Sequence, residues 1–430
     1  MQKYFNKEIS INTPAIKKNI LIAWCFYDWA SVAFSTIITT FIFATYFTKK
    51  IAINPIVGTY QWANAAAIAG IIIAIASPLF GAIADHGGRI KRWLAVFLSL
   101  CILSSALLWF ALPQQNYIFF TLGCFIAGTI GLEVASVFYN SFLPHIAPKK
   151  YIGRISGWGW GLGYVGGIIA LSIALFGFVQ NAPSWLNADT SENIRICGPF
   201  TAAWLFIFSL PLFLIVPDTA ATGLTLRQAI QKGMSEIIRT LRSLPTQKNI
   251  FIYLIAHMIY VDGLNTLFAF GGIYAAGTFG MDLSRVILFG ITMNISAGIG
   301  AIALSWVDDY LGSKKTILIS LFFMTVISIP ILFVKQASTF WIFALLLCLF
   351  VGPVQAASRS LLARLVPIEK TTEMFGLYAF SGRATSFIGP WLLGFVTLYF
   401  QSQRAGIATI LLFFILGGLL LSFVRDKLSP

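Results

Sequence analysis

The chain has 430 residues, of which 58% are hydrophobic and only 10% charged, and its formal net charge is +14. Soluble domains are about 45–50% apolar and about 25% charged, so a soluble globular enzyme, a disordered chain and a collagen-like chain are excluded, and lipid is the solvent left for so much apolar surface. The basic residues stand in small groups between apolar runs, a pattern that orients a protein in a bilayer and does not build a nucleic-acid surface.

Apolar runs with no charge or one charge, long enough to cross a bilayer, predict twelve helices. In the first half they cover 19–48, 60–84, 92–112, 117–146, 153–180 and 199–217; in the second, 249–277, 284–307, 314–335, 339–366, 373–400 and 405–425. The stretch between Trp93 and His145 divides at the polar turn Pro113-Gln114-Gln115-Asn116. Barrel strands would need alternating segments of about ten residues, and these runs are continuous and longer. The first run is too long for a signal-peptide core and has no small-residue cleavage site, so it is expected to stay as helix one. Cys25, Cys101, Cys124, Cys197 and Cys348 have no metal-site or C-x-x-C spacing and read as small packing residues, with no disulfide framework and no metal.

An even helix number puts both termini on one face. That face collects Lys3, Lys7, Lys17 and Lys18, then Arg89, Lys91 and Arg92, then Lys149, Lys150 and Arg154. Five more lie between 218 and 248, followed by Lys314, Lys315, Arg359, Arg364, Lys370, Arg425 and Lys427. The other face has only Lys49, Lys50, Arg195, Arg285, Lys335 and Arg404. The asymmetry predicts a multi-pass protein of the cell inner (plasma) membrane with both termini cytoplasmic. Trp62, Trp93, Trp109, Trp306 and Trp341 fall at span ends, where indoles favour the headgroup layer.

The longest polar segment, 218–248, separates a six-helix unit at 1–217 from another at 249–430. Within it Leu226, Ile230, Met234, Ile237, Ile238 and Leu241 recur at helical spacing among Arg227, Lys232, Arg239 and Arg242. An amphipathic helix on the anionic inner leaflet fits this pattern; a solvated connector is the alternative. The two units also repeat. Asn140-Ser141-Phe142-Leu143, Pro148, Gly157 and Gly163 align with Arg359-Ser360-Leu361-Leu362, Pro367, Gly376 and Gly382 at a constant offset of 219 residues. The loop Gly81-x-x-x-Asp85-His86-x-Gly88-Arg89 after helix two recurs after helix eight as Ser305-x-x-x-Asp309-Tyr310-x-Gly312-Ser313-Lys314. Parallel repeats of this kind imply two bundles around a central path. The expected fold is an all-α membrane protein of twelve transmembrane helices in two pseudo-symmetric six-helix bundles.

The loop motif, at the same place in both halves of a 6+6 chain, resembles that of the major facilitator superfamily, with departures at His86, where a basic residue is usual, and at Ser305. Within the superfamily the chain is similar to the vacuolar-effluxer-like transporters, whose fungal members are known from autophagy. The likeness is carried by Tyr27-Asp28-Trp29-Ala30, by Val137-Phe138-Tyr139-Asn140-Ser141-Phe142-Leu143-Pro144, by Gly159-Trp160-Gly161-Leu162-Gly163-Tyr164-x-Gly166-Gly167, by Asp262-Gly263 and by Phe375-Gly376-Leu377-Tyr378. It covers nearly the whole chain. The resemblance implies that helices one, four, seven and eleven line a central cavity, and in fungi the family is linked to amino-acid efflux.

A charge at lipid depth is costly and normally faces a cavity. Asp28, Glu133, Asp262 and Arg383 are of this kind, roughly 13–20 Å from the terminus face at about 1.5 Å per residue, and they are expected to share one site. Asp28 and Asp262, in equivalent helices, are candidate proton carriers or structural hydrogen-bond partners. Glu133 is a further proton or solute ligand, with a salt bridge to Arg383 as the plainer reading. Arg383 is a candidate anchor for a carboxylate. Tyr27, Tyr139, Asn140, Trp160, Tyr260 and Asn265 are possible solute contacts, each also able to tie two helices together; Tyr164 and Asn294 read the same way. His257 is a proton relay or a packed histidine. Gly159, Gly163 and Gly167 form a stripe for close helix contact, which explains the G-x-G-x-x-G string better than a dinucleotide site does. Gly81, Asp85, Gly88 and Arg89, with Asp309, Gly312 and Lys314, are expected to act on conformation, Asp85 accepting hydrogen bonds from a helix N-terminus or a basic residue; a turn that only sets orientation is the alternative.

The expected function is secondary active transport of a small polar solute, an amino acid or short peptide, by alternating access coupled to protons. No catalytic residue and no cofactor is expected, and the chain is expected to work as a monomer with the bilayer and a small-molecule substrate as its partners. A multidrug efflux permease of the same superfamily is the nearest alternative; a lipid scramblase or a membrane-embedded enzyme is the alternative of another class.

Overall fold

A computed structural model describes residues 18–220, 222–281 and 283–425, and their regular structure is helical throughout. The first bundle contains helix one (Lys18–Ile51), two (Pro55–Gly87), three (Ile90–Phe110), four (Gln115–Ile146), five (Lys149–Gln180) and six (Glu192–Ile215). The second contains helix seven (Lys248–Phe279), nine (Ser313–Ile331), ten (Ala337–Leu365) and twelve (Gln403–Ser422). Helix eight is Leu283–Ala303 continued after a bend by Ser305–Leu311.

Helix eleven departs from the continuous span expected at 373–400. It consists of a first segment, Thr371–Arg383, and a second, Ile388–Phe400, with a turn between them. Pro390 lies in the first turn of the second segment, where its missing N–H costs nothing, whereas in a continuous helix its ring would crowd the carbonyl four residues back. Proline alone does not force the break, since Pro78, Pro211 and Pro353 sit inside continuous helices. Here the freed amide has an acceptor: Gly389 N donates to Asp262 Oδ2 of helix seven at 3.1 Å.

The repeat is visible in how helix ends are finished. Lys91 Nζ donates to the carbonyl of Phe213 at 2.7 Å, and Lys314 Nζ to that of Ser422 at 2.7 Å. On the opposite face Arg195 donates to the carbonyl of Trp109 at 2.8 Å, and Arg404 to those of Leu332 and Val334 at 2.9 and 2.6 Å. Each cation satisfies carbonyls that a helix C-terminus leaves open.

The segment between the bundles forms the linker helix, Leu226–Ser243, started by a capping box of Thr225 and Gln228. One face docks: Ala229, Glu236, Ile237 and Thr240 are buried, and Gly233 lies so close to the backbone of Ile83 in helix two that a Cβ there would come within 2.8 Å of it. Ile230, Met234, Ile238 and Leu241 form an exposed apolar stripe beside the exposed Arg227, Lys232, Arg239 and Arg242. Glu236 joins the helix to the second bundle through Lys370 at 2.6 Å, and it also pairs with Arg239 at 2.5 Å. The linker helix thus holds the end of helix two and the start of helix eleven at once.

The hydrogen bond from Lys370 keeps the Glu236 carboxyl below the ordinary glutamate range. A depressed carboxylate adds stability above its ordinary range and loses it as pH falls below that range. Protection of the linker-helix amides, taken relative to their intrinsic exchange rates at each pH, should therefore fall as the protein is acidified past the ordinary glutamate range, and Glu236→Gln should show the lower protection already at neutral pH. Unchanged protection in both cases would mean that the ion pair does not hold the helix down.

Candidate substrate site and gates

A buried ion pair between the bundles links Asp28 of helix one to Arg359 of helix ten, Nη1 to Oδ2 at 2.9 Å. Arg359 is 3% exposed. Its remaining donors are met from the first bundle: Nε donates to Ser156 Oγ at 2.9 Å, Nη2 to the Ser156 carbonyl at 2.7 Å, and Nη1 also to Asn140 Oδ1 at 3.2 Å. Aromatic faces complete the sleeve, with the guanidinium carbon 4.7 Å from the ring centre of Trp24 and 5.7 Å from those of Tyr139 and Trp160. Tyr139 stacks between Trp24 and Tyr27, and the hydroxyls of Tyr27 and Tyr139 are buried without a hydrogen-bond partner among the described residues. Helix five can approach this closely because Gly159 has no side chain: a Cβ there would lie 2.5 Å from Asp28 Oδ2 and 2.9 Å from Arg359 Nη2.

The four charges expected to share one site are not one cluster. Asp28 is engaged by Arg359, a residue read from the sequence as a charge of the terminus face. Glu133 pairs with Arg383 across the bundle interface, and this pair is half-open, with side-chain exposures of 36% and 35%. Asp262 is buried and belongs to neither pair: one oxygen caps the second segment of helix eleven and the other has no partner among the described residues.

The remaining candidates divide similarly. Tyr260 shares a hydrogen bond with Ser358 at 2.7 Å, and His257 shares one with Ser381 at 2.7 Å, so both tie helices of the second bundle. Tyr164 donates to Gln355 at 2.7 Å across the interface, and Asn294 donates to the Gly290 carbonyl of its own helix. Asn265 is half-buried, and its side chain makes no hydrogen bond among the described residues.

Both loop motifs close the terminus face. Asp85 accepts from the backbone amides of Thr372 and Glu373, at 3.1 and 2.8 Å, and so caps the N-terminus of helix eleven. Gly81 lets the helices touch, since a Cβ there would meet the Thr372 carbonyl at 2.5 Å. The second copy mirrors the first: Asp309 accepts from the amide of Arg154 at 3.1 Å, at the start of helix five, and pairs with the Arg154 side chain at 3.3 Å. Arg154 and Glu373 are related by the same 219-residue offset. Gly88 and Gly312 turn the chain with φ of 66° and 90°, Arg89 follows in a left-handed conformation, and Lys314 ties helix nine to helix twelve as described. Ser305 replaces the glycine of the second copy and packs against Gly157 instead, so the small residue has moved to the other helix. Asp308, which the sequence did not single out, is buried and accepts from Arg364 at 2.6 Å, from Ser313 at 2.7 Å and from Ser360.

Residues 63–428 match the sequence profile of the family described as "Vacuole effluxer Atg22 like". The chain belongs to the Atg22-like family. A relative from Bacillus subtilis (strain 168), the uncharacterized MFS-type transporter YxiO, is 27% identical over 95% of both chains. Autophagy-related protein 22 of Saccharomyces cerevisiae (strain YJM789) is 21% identical over 72% of this chain and 66% of its own length, and the counterpart from Cryptococcus neoformans (strain B-3501A) is 22% identical over 57% of this chain and 47% of its own. This chain therefore spans about half of the latter's length. Among solved structures, the major facilitator superfamily transporter FucP in the outward conformation has a TM-score of 0.75 at 15% identity, covering 96% of this chain and 99% of its own. The proton:xylose symporter XylE has a TM-score of 0.75 at 14% identity, covering 95% and 96%. This Atg22-like chain is thus an MFS-type transporter with the twelve-helix fold of the superfamily.

Arg359 could have been found from the sequence. The 219-residue offset sets it opposite Asn140, a chosen candidate, and the two are in contact. Removing one member of a buried ion pair costs about 3–5 kcal/mol because the survivor is left unpaired. Asp28→Asn and Arg359→Gln should each lower the thermal stability of the purified protein, and the double variant should lose clearly less than the two losses added together. Strict additivity would show that the pair is not coupled.

Proposed function

We propose that this Atg22-like chain is a secondary active transporter that moves a small zwitterion, an amino acid or short peptide, across the inner membrane by alternating access coupled to protons. Both termini are cytoplasmic in this reading, and the protein works as a monomer without a cofactor. The observation that carries the proposal is the half-open Glu133–Arg383 pair between two bundles whose terminus face is shut by Asp85 and Asp309.

An ion pair half open to its surroundings at mid-depth is a site that a zwitterion can enter without leaving a charge alone. The solute carboxylate takes the guanidinium fork of Arg383, and its ammonium takes Glu133. Each protein charge exchanges one partner for another, so the cost of an unpaired charge at low dielectric never arises. A hydrophobic cation would satisfy only Glu133, which disfavours the multidrug reading. Closure of the terminus face by hydrogen bonds to helix N-termini supports a state that loads from the opposite side; parting those contacts would deliver the solute to the cytoplasm, and the reverse cycle would export it.

Proteoliposomes carrying the purified protein should take up at least one zwitterion from a panel of amino acids and dipeptides, faster with a pH gradient than without. Arg383→Gln should reduce that uptake about 10–100-fold, the equivalent of the ~1.5–3 kcal/mol assigned to a hydrogen bond with a charged group. Full activity of Arg383→Gln at equal membrane levels would remove the anchor, and transport confined to hydrophobic cations would favour the multidrug permease.

A further inference from the structure

We propose that Asp262, together with the break in helix eleven, forms the proton site of this chain. The inference rests on the proton-coupled reading above and assigns the proton to one carboxylate.

Three acids lie at mid-depth. Asp28 has the guanidinium of Arg359 at 2.9 Å, and Glu133 is paired with Arg383. Asp262 has no cation. It is 2% exposed; Oδ2 accepts the Gly389 amide at 3.1 Å, and Oδ1 has no hydrogen-bond partner among the described residues. The elements packed against helix seven supply no counter-charge. On helix ten, Arg359 and Arg364 serve Asp28 and the Asp308–Asp309 pair. On helix eleven, Arg383 serves Glu133, Glu373 lies at the terminus face beside Lys370, and Tyr378 stacks on His257. Arg404 of helix twelve is bound to the carbonyls of Leu332 and Val334, and Arg285 stands at the far end of helix eight. On helix seven itself, His257 and Tyr260 are bonded to Ser381 and Ser358.

A carboxylate taken out of water keeps its charge only where other groups replace the lost hydration. Here the replacement is a single amide and the positive end of the second segment's dipole, and one oxygen is left bare. A proton from the aqueous phase forms an O–H bond at Oδ1 and neutralises the carboxylate, with no other covalent bond made or broken. The neutral acid no longer attracts the helix N-terminus, so the cap at Gly389 weakens and the second segment is free to move against the first. Arg383 ends the first segment, one turn of chain from the break, and it is the residue that grips Glu133. Proton binding at Asp262 thereby reaches the zwitterion pair through four residues of chain, Ala384 to Phe387.

The arrangement also explains why this helix is broken. Gly389 has room for no side chain, since a Cβ would lie 2.0 Å from Thr266 Oγ1 and 2.9 Å from Asp262 Oδ1, so the N-terminus of the segment is seated directly on the acid.

Infrared difference spectra of the full chain in lipid nanodiscs, taken between about pH 8 and about pH 4, read protonated carboxyl groups without any solute. A carboxylic-acid carbonyl band should rise on acidification, lose a component in Asp262→Asn, and keep that component in Asp28→Asn and Asp85→Asn. Asp262→Glu, which retains a titratable group, should keep a shifted band and guards against misreading a folding defect. A band unchanged in Asp262→Asn, or lost instead in Asp28→Asn, overturns the assignment. Proteoliposomes provide the second readout: with a zwitterion found active for the unaltered chain, Asp262→Asn should lose at least tenfold of the acceleration by a pH gradient. Full acceleration in that variant also overturns the assignment. Failure of the whole zwitterion panel would remove the substrate reading and leave the infrared result standing.

Discussion

Everything in this fold is arranged around the cost of an ionised group at low dielectric. A charge inside a bilayer is tolerated when it is paired, solvated by dipoles or open to water, and the chain uses all three solutions. Asp28 and Arg359 are sealed together within aromatic and hydroxyl groups. Glu133 and Arg383 are paired but half open. Asp262 has a helix N-terminus in place of a cation. The three arrangements differ in what disturbs them: a sealed pair responds to movement of the bundles, a half-open pair to a charged solute, and a lone carboxylate to a proton.

The two bundles meet along contacts that obey the internal repeat. Asn140 and Arg359, related by 219 residues, touch each other, and a residue that contacts its own equivalent must lie close to the pseudo-twofold axis. The Asp28–Arg359 pair therefore sits where neither bundle dominates, and it binds them through residues of helices one, four, five and ten. An ion pair at that position joins the two bundles directly, because one partner belongs to each.

The architecture was legible in the sequence because it rests on length, hydropathy and repetition. The twelve spans, the 6+6 division and the two loop motifs follow from patterns many residues long, and the helix ends differ from expectation mainly by one or two turns. The site was only partly legible. Reading single charges inside apolar runs found Asp28, Glu133, Asp262 and Arg383, and it left open their partners, since helix spacing fixes a side chain's height and not its neighbour in another helix. Arg359 and Arg364 were masked by position, since near a helix end an arginine looks like an orienting charge; the repeat offset alone pointed to Arg359, and nothing in the sequence pointed to Arg364. The break in helix eleven was hidden for a related reason. Pro390 is ambiguous among prolines that leave their helices intact, and the deciding group, Asp262, lies 128 residues earlier in the chain.

The repeat also shows where symmetry was abandoned. At the seam of helices five and eight, Asp309 pairs with Arg154 across the bundles while Arg364 holds Asp308 and Asp309 within their own bundle, so parting the seam breaks the Arg154–Asp309 ion pair. At the seam of helices two and eleven, the equivalent of Arg154 is Glu373. Asp85 there is held by two backbone amides, and one Glu373 oxygen has no partner. Parting this seam exposes a carboxylate and two amides that water solvates readily, so it is the less costly of the two to open. The linker helix lies across that seam and not the other, with Glu236 reaching Lys370 from a helix packed on Ile83. A clasp is useful only where the joint beneath it is weak. The two seams, equivalent in the sequence repeat, are thus joined differently: by an ion pair at one and by amide hydrogen bonds beneath a bridging linker helix at the other.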